Sequence, residues 1–134
     1  MTLATLLRSQ FLRFCLVGGA GFLIDTGVLY AAVFGLGIDR YSGRVISFLV
    51  AATANWAINR HFTFRASRAP SRGEWAQYVT MMLFGAAANY GTYAALIAAF
   101  PAMHQEPALA VAGGTLAGLG LNFLAAKYVV FRGA

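Results

Sequence analysis

Residues 14–36 run through Gly, Ala, Leu, Val and Phe with a single charged side chain, Asp25. An α-helix needs about 20 such residues to cross the hydrocarbon core of a bilayer. Unpaired backbone groups are so costly in lipid that helices and closed barrels are the only spanning forms. Three further runs of this kind follow, at about 42–62, 78–100 and 108–129. The chain has 134 residues, so four spans leave almost nothing for a domain outside the membrane. Its residues are 60% hydrophobic and 10% charged, and a soluble monomer this short cannot bury so much apolar surface. The expected fold is all-α, an integral membrane four-helix bundle forming one membrane domain over residues 1–134.

The connections carry their own signals. Residues 2–13 read as a short interfacial helix leading into the first span. Gly37-Ile38-Asp39-Arg40 reads as a tight turn. The uncharged part of the second span is short, which places Arg44 and Arg60 near the interfaces, where long cationic side chains snorkel. Ser71-Arg72-Gly73-Glu74 fits a capping box, in which the Ser71 hydroxyl takes the Glu74 N–H and the Glu74 carboxylate reaches back. Pro107 suits the first turn of a helix, where its missing N–H costs nothing.

Ten Lys/Arg against four Asp/Glu give a net charge of +6. In a soluble protein this would suggest nucleic acid; in a membrane protein it sets topology, and no nucleic-acid partner is expected. Arg8, Arg13, Arg60, Arg65, Arg68, Arg72, Lys127 and Arg132 fall on one side of the four spans, and only Arg40 and Arg44 on the other. Eight cations against two place both termini and the middle loop in the cytoplasm. The single Cys15 excludes an intrachain disulfide, and His61 and His104 stand apart, so neither a metal site nor a cofactor is expected.

The chain also reads as two copies of one hairpin, about 11–66 and 75–132. Asn55, Arg60, Phe64 and Arg65 recur as Asn122, Lys127, Phe131 and Arg132 at an offset of 67. Ser47, Ala51, Asn55 and Asn59 lie four apart, on one helix face; their counterparts are Gly114, Gly118, Asn122 and Ala126. In the first helices of the two copies, at an offset of 64, Gly21 matches Gly85 and Asp25 matches Asn89. Two-span repeats enter the membrane in the same sense and are related by an axis along its normal, an arrangement found in transporters.

Polar residues are few enough to be conspicuous. Asp25 lies about eleven residues inside the first span, roughly 16 Å deep, where a carboxylate faces a cavity or a partner. It reads either as a coupling or substrate-binding acid or as interhelical glue, the role left to Asn89. Asn55, Asn59 and Arg60 gather at the cytoplasmic end of the second span, and Asn122 and Lys127 at the matching end of the fourth. A guanidinium fork, an ammonium and amide donors suit a phosphate, and at headgroup depth that phosphate belongs to a lipid. Topology anchoring and interhelical amide bonds explain the same residues without a ligand. Trp56, Phe62, Phe64, Trp75, Tyr78, Tyr128 and Phe131 suit an aromatic belt, and Gly114-x3-Gly118 a packing face. No catalytic constellation appears, so an enzyme is not expected.

Phe14-x2-Val17-Gly18, Gly21 followed by Asp25, and above all Asn55-x3-Asn59-Arg60-x-Phe62-Thr63-Phe64 resemble the GtrA family of small four-span membrane proteins. The resemblance extends from about Phe11 to Arg132; the second copy departs from it at Ala126 and Lys127. It implies a role in cell-surface polysaccharide assembly at a bacterial inner membrane, moving a polyprenyl-phosphate-linked sugar between leaflets. Arg60 and Lys127 would then bind the phosphate, Asn55, Asn59 and Asn122 would orient it, and Asp25 would sit on the route. The alternative is a non-transporting anchor or accessory subunit that recruits a glycosyltransferase. A small multidrug-type exporter fits less well, because such proteins show weak charge bias. A thin four-span bundle also suits a homodimer.

Overall fold

The computed structural model describes residues 2–133, and among them every regular element is helical. In chain order these are α1 (Leu3–Tyr30), π1 (Ala31–Gly35), α2 (Arg40–Ile58), π2 (Asn59–Thr63), α3 (Arg72–Ala99), α4 (Ala102–Gln105), α5 (Pro107–Ala125) and π3 (Ala126–Val130). Three helical stretches, Arg8–Gly35, Arg72–Ala99 and Pro107–Val130, are long and apolar enough to cross a membrane. The segment expected as the second span falls on α2 and π2, which together carry Arg40, Arg44 and Arg60.

The ends of these elements follow from their sequences. α1 starts where the Thr2 hydroxyl accepts the Thr5 N–H at 3.2 Å. It then runs unbroken, so the short helix expected over residues 2–13 leads into the first span without a break, as the first part of α1. After π1 the chain turns at Gly37, whose φ of +69° is open to glycine and strained for other residues. Asp39 caps α2, its Oδ2 accepting the N–H groups of Ser42 at 2.9 Å and Tyr41 at 3.1 Å. These bonds, the Ser42 N–H foremost, hold the Asp39 carboxyl below its ordinary pKa. At α3 the Ser71 hydroxyl accepts the Glu74 N–H at 3.1 Å, as the capping box requires. The reciprocal half is absent, because the Glu74 side chain is engaged elsewhere. Pro107 opens α5 at its first turn, and the preceding loop contains the short helix α4.

The three π segments were not foreseen. Each widens the helix by one residue, so that N–H groups bond the carbonyl five residues back: Leu36 to Ala31 at 3.0 Å, Phe64 to Asn59 at 2.9 Å, and Phe131 to Ala126 at 2.8 Å. α2 and α5 both have 19 residues and begin at residues 40 and 107, while π2 and π3 both have five and begin at 59 and 126.

The chain forms two compact units, the second being Thr80–Arg132 and the first the remaining described residues. In the first, α1 and α2 pack antiparallel. Phe14 and Phe64 meet edge to face with ring centroids 6.3 Å apart at one end. A Cβ placed on Gly43 would stand 3.1 Å from Val33 at the other. The face carrying Ser47, Ala51, Asn55 and Asn59 is buried throughout, as its four-residue spacing predicts. In the second unit, a Cβ on Gly118 would stand 2.7 Å from the Gly85 carbonyl oxygen and 2.9 Å from Asn89 Cβ, so α3 and α5 approach almost backbone to backbone. Large apolar side chains face outward along these helices: Phe22 is 68% exposed, Leu23 71% and Leu116 67%. A fold that turns its apolar side chains outward belongs in lipid.

Candidate functional site

The polar residues form separate arrangements within each unit. In the first unit, Glu74 is the hub at the end of α2. Its Oε1 accepts from Arg60 Nε at 2.7 Å and from Trp56 Nε1 at 3.0 Å, and its Oε2 from Arg60 Nη2 at 3.2 Å. Arg68 Nε stands 3.5 Å from the same oxygen. Arg60 Nη2 also donates to the Arg68 carbonyl, tying the loop after π2 to its own side chain. The Arg60 and Glu74 side chains are 3% and 5% exposed. Arg60 was expected to snorkel; instead it is buried against a matched carboxylate.

Asn59 lies one residue earlier, at the first position of π2. Its Nδ2 donates to the Tyr78 hydroxyl at 2.8 Å, and its Oδ1 accepts from the Thr63 hydroxyl at 2.7 Å. All three side chains are buried. Nearby, the Trp75 indole donates to Thr53 Oγ1 at 2.9 Å. Trp56, Pro70, Ser71, Arg72 and Trp75 line a cleft of about 310 Å³. Arg13 donates to the Phe62 carbonyl at 3.4 Å and lies over its ring, closing the α1 side of π2.

Asn55 plays a different part. It is buried, and a Cβ placed on Gly21 would stand 2.7 Å from its Cγ, so the amide fills the space that glycine leaves open. In the second unit Asn122 lies against Gly85 in the same way, with its Nδ2 2.6 Å from a Cβ placed there. In both asparagines the buried Oδ1 has no conventional hydrogen-bond partner. A glycine Cα–H held against an amide oxygen supplies a weak donor at such a crossing. Asn89 meets the Gly114-x3-Gly118 face directly: its Oδ1 would be 2.6 Å from a Cβ on Gly114. Lys127, on π3, is half-buried and places its ammonium over the Phe123 and Tyr128 rings at 5.9 and 5.8 Å.

Asp25 has a partner the sequence did not disclose. Arg44 Nη1 donates to Asp25 Oδ1 at 2.6 Å and Oδ2 at 2.8 Å, and to the Ser47 hydroxyl at 3.2 Å. Unlike the Arg60–Glu74 pair, this one is open: the Arg44 side chain is 56% exposed and that of Asp25 22%. Both ion partners, Arg44 and Glu74, were overlooked as site residues. The signal was available in part, since the chain has only four acids and two of them face Arg44 and Arg60. Among the described residues, no group of three or more His, Cys, Asp or Glu side chains is placed to hold a metal.

Comparison with known proteins shows similarity over nearly the whole chain. The family described as GtrA/DPMS, transmembrane domain, matches residues 13–131. A bactoprenol-linked glucose translocase of Shigella flexneri is 26% identical over 132 residues, covering 98% of this chain and 99% of that protein.

Proposed function

The chain belongs to the GtrA/DPMS transmembrane-domain family, and from that membership we propose that it moves a polyprenyl-phosphate-linked sugar from the cytoplasmic to the outer leaflet of a bacterial inner membrane. The observation that carries this reading is the end-to-end similarity to a bactoprenol-linked glucose translocase, which spans 98% of this chain.

In this reading the bundle has four spans, with α2 and π2 as the second. Residues 40–63 extend roughly 36 Å at 1.5 Å per residue, enough to cross the hydrocarbon. Two of the arginines that lower the apolarity of this segment, Arg44 and Arg60, are each paired with a carboxylate. The matching lengths of α2–π2 and α5–π3, 67 residues apart, support two tandem two-helix repeats, and the eight-to-two distribution of cations supports cytoplasmic termini.

The lipid phosphate is met at the cytoplasmic ends of α2 and α5. Lys127 offers its charge there, with Asn122 on the same helix. Arg60, Asn55 and Asn59 form the corresponding set in the first unit. Arg60 is matched by Glu74, so its first task is to hold π2 in place, and a phosphate engages it by displacing the carboxylate. Asp25 lies on the route and Asn89 holds the second hairpin together.

The test is reconstitution in liposomes with a labelled polyprenyl-phosphate glucose. Transfer between leaflets faster than in protein-free vesicles supports the reading. Transfer at the protein-free rate, together with co-purification of a glycosyltransferase, would establish a recruiting anchor instead.

A further inference from the structure

We infer that Arg44 is a second phosphate-binding residue, within the membrane on the outer side of the bundle, and that Asp25 holds one edge of its guanidinium while the other edge stays open to the substrate phosphate. This inference rests on the proposed translocation and extends it to a residue at the far end of α2 from Arg60.

The geometry of Arg44 is the starting point. A guanidinium carries five N–H groups. Both Asp25 oxygens and the Ser47 hydroxyl are served from Nη1 alone. Nε and Nη2, with three N–H groups between them, form no hydrogen bond among the described residues. The side chain is 56% exposed, so this second edge is accessible. Arg60 presents the opposite case, with Nε and Nη2 both on Glu74 and the side chain 3% exposed. Of the two carboxylate-paired arginines, only Arg44 has a free fork on an accessible edge.

One turn of α2 before Arg44, Arg40 lines a cavity of the right chemistry. A cleft of about 340 Å³ is lined by Leu29, Tyr30, Val33, Phe34 and Arg40. Tyr30 and Phe34 are stacked, with ring centroids 5.5 Å apart, and offer an aromatic surface. Arg40 is exposed and one helical turn from Arg44, on the same side of α2. A cation lining an apolar, aromatic cleft, with a second cation one turn away, is complementary to an anion that carries an apolar chain. Planar guanidinium groups match a phosphate's oxygens two at a time. An arginine in hydrocarbon without a counter-charge is costly, so Asp25 keeps the empty site neutral and Arg44 extended toward the route. The ligand is therefore a lipid-borne phosphate ester, engaged at the Arg44 fork with its apolar chain in the cleft.

The full chain in phosphatidylcholine nanodiscs would be titrated with a short-chain isoprenyl phosphoglucose, comparing wild type, Arg44→Gln, Arg44→Lys and Asp25→Asn. Thermal unfolding in the same nanodiscs identifies any variant that has not folded. Arg44→Gln is expected to weaken binding about tenfold or more, the worth of a charge-assisted hydrogen bond, and Arg44→Lys less. Asp25→Asn, which removes the competing carboxylate and leaves the cation, is expected to tighten binding. Unchanged binding in Arg44→Gln, or weaker binding in folded Asp25→Asn, overturns the inference. Competition by inorganic phosphate as effective as by the phosphoglucose would assign the site to free phosphate and overturn the lipid assignment. A wild type that transfers lipid-linked glucose while Arg44→Gln binds and transfers equally removes this inference alone. A wild type that neither binds nor transfers removes the proposed function with it.

Discussion

Arg60 and Glu74 are joined at two points, Nε to Oε1 at 2.7 Å and Nη2 to Oε2 at 3.2 Å, with 3% and 5% of their side chains exposed. Removing one partner of a buried pair leaves an uncompensated charge, which costs about 3–5 kcal/mol. Arg60→Ala is therefore expected to lower the unfolding free energy in detergent by about 3 kcal/mol or more. Replacing both residues by apolar ones of similar volume is expected to recover most of that loss. Equal destabilisation by the single and double changes would contradict the pairing.

Gly21 and Gly85 admit the Asn55 and Asn122 amides where any side chain would collide. Gly85→Ala is expected to cost about 1–3 kcal/mol through overpacking. Asn122→Ala in the same chain is expected to relieve much of this, giving a coupling energy of about 0.5 kcal/mol or more in a double-mutant cycle. Strict additivity would show that the two residues are not in contact.

Asn59 joins the Tyr78 and Thr63 hydroxyls in a buried chain. Asn59→Ala leaves both hydroxyls without this partner and is expected to cost about 1–3 kcal/mol. Tyr78→Phe removes one hydroxyl and is expected to cost less. Unfolding midpoints of the two variants in detergent check the order.

Asp39 caps α2 with its carboxyl held below the usual carboxylate range by the Ser42 N–H foremost and the Tyr41 N–H also. A depressed folded pKa means that its contribution is fully present above the unfolded value of about 3.9. It is lost as pH falls through the lower folded value. Hydrogen-exchange protection of the Ser42 amide, corrected for the intrinsic rate, is expected to fall in that acid range in the wild type and to stay flat in Asp39→Asn.

Three of the expected spans were legible because apolar runs are local signals, and the packed face of α2 and π2 because Ser47, Ala51, Asn55 and Asn59 recur every four residues. Pro107 and the Ser71 cap were legible for the same reason. The π segments carry no propensity signal: π2 and π3 differ at all five residues yet widen alike. The partners of Arg44 and Arg60 were hidden because Asp25 and Glu74 lie 19 and 14 residues away and meet them only when helices pack. Glu74 shows the limit most clearly. Its spacing from Ser71 marked the start of α3, but its side chain serves Arg60 and Trp56 instead of its own cap.

Translocation of a lipid-linked sugar is most directly tested by measuring how quickly a labelled polyprenyl-phosphate glucose, introduced into one leaflet of a liposome holding the purified chain, reaches the other. The account predicts transfer well above that of protein-free liposomes and its loss in Lys127→Gln with the fold intact. Transfer no faster than in protein-free liposomes, from protein shown to be folded, would contradict it.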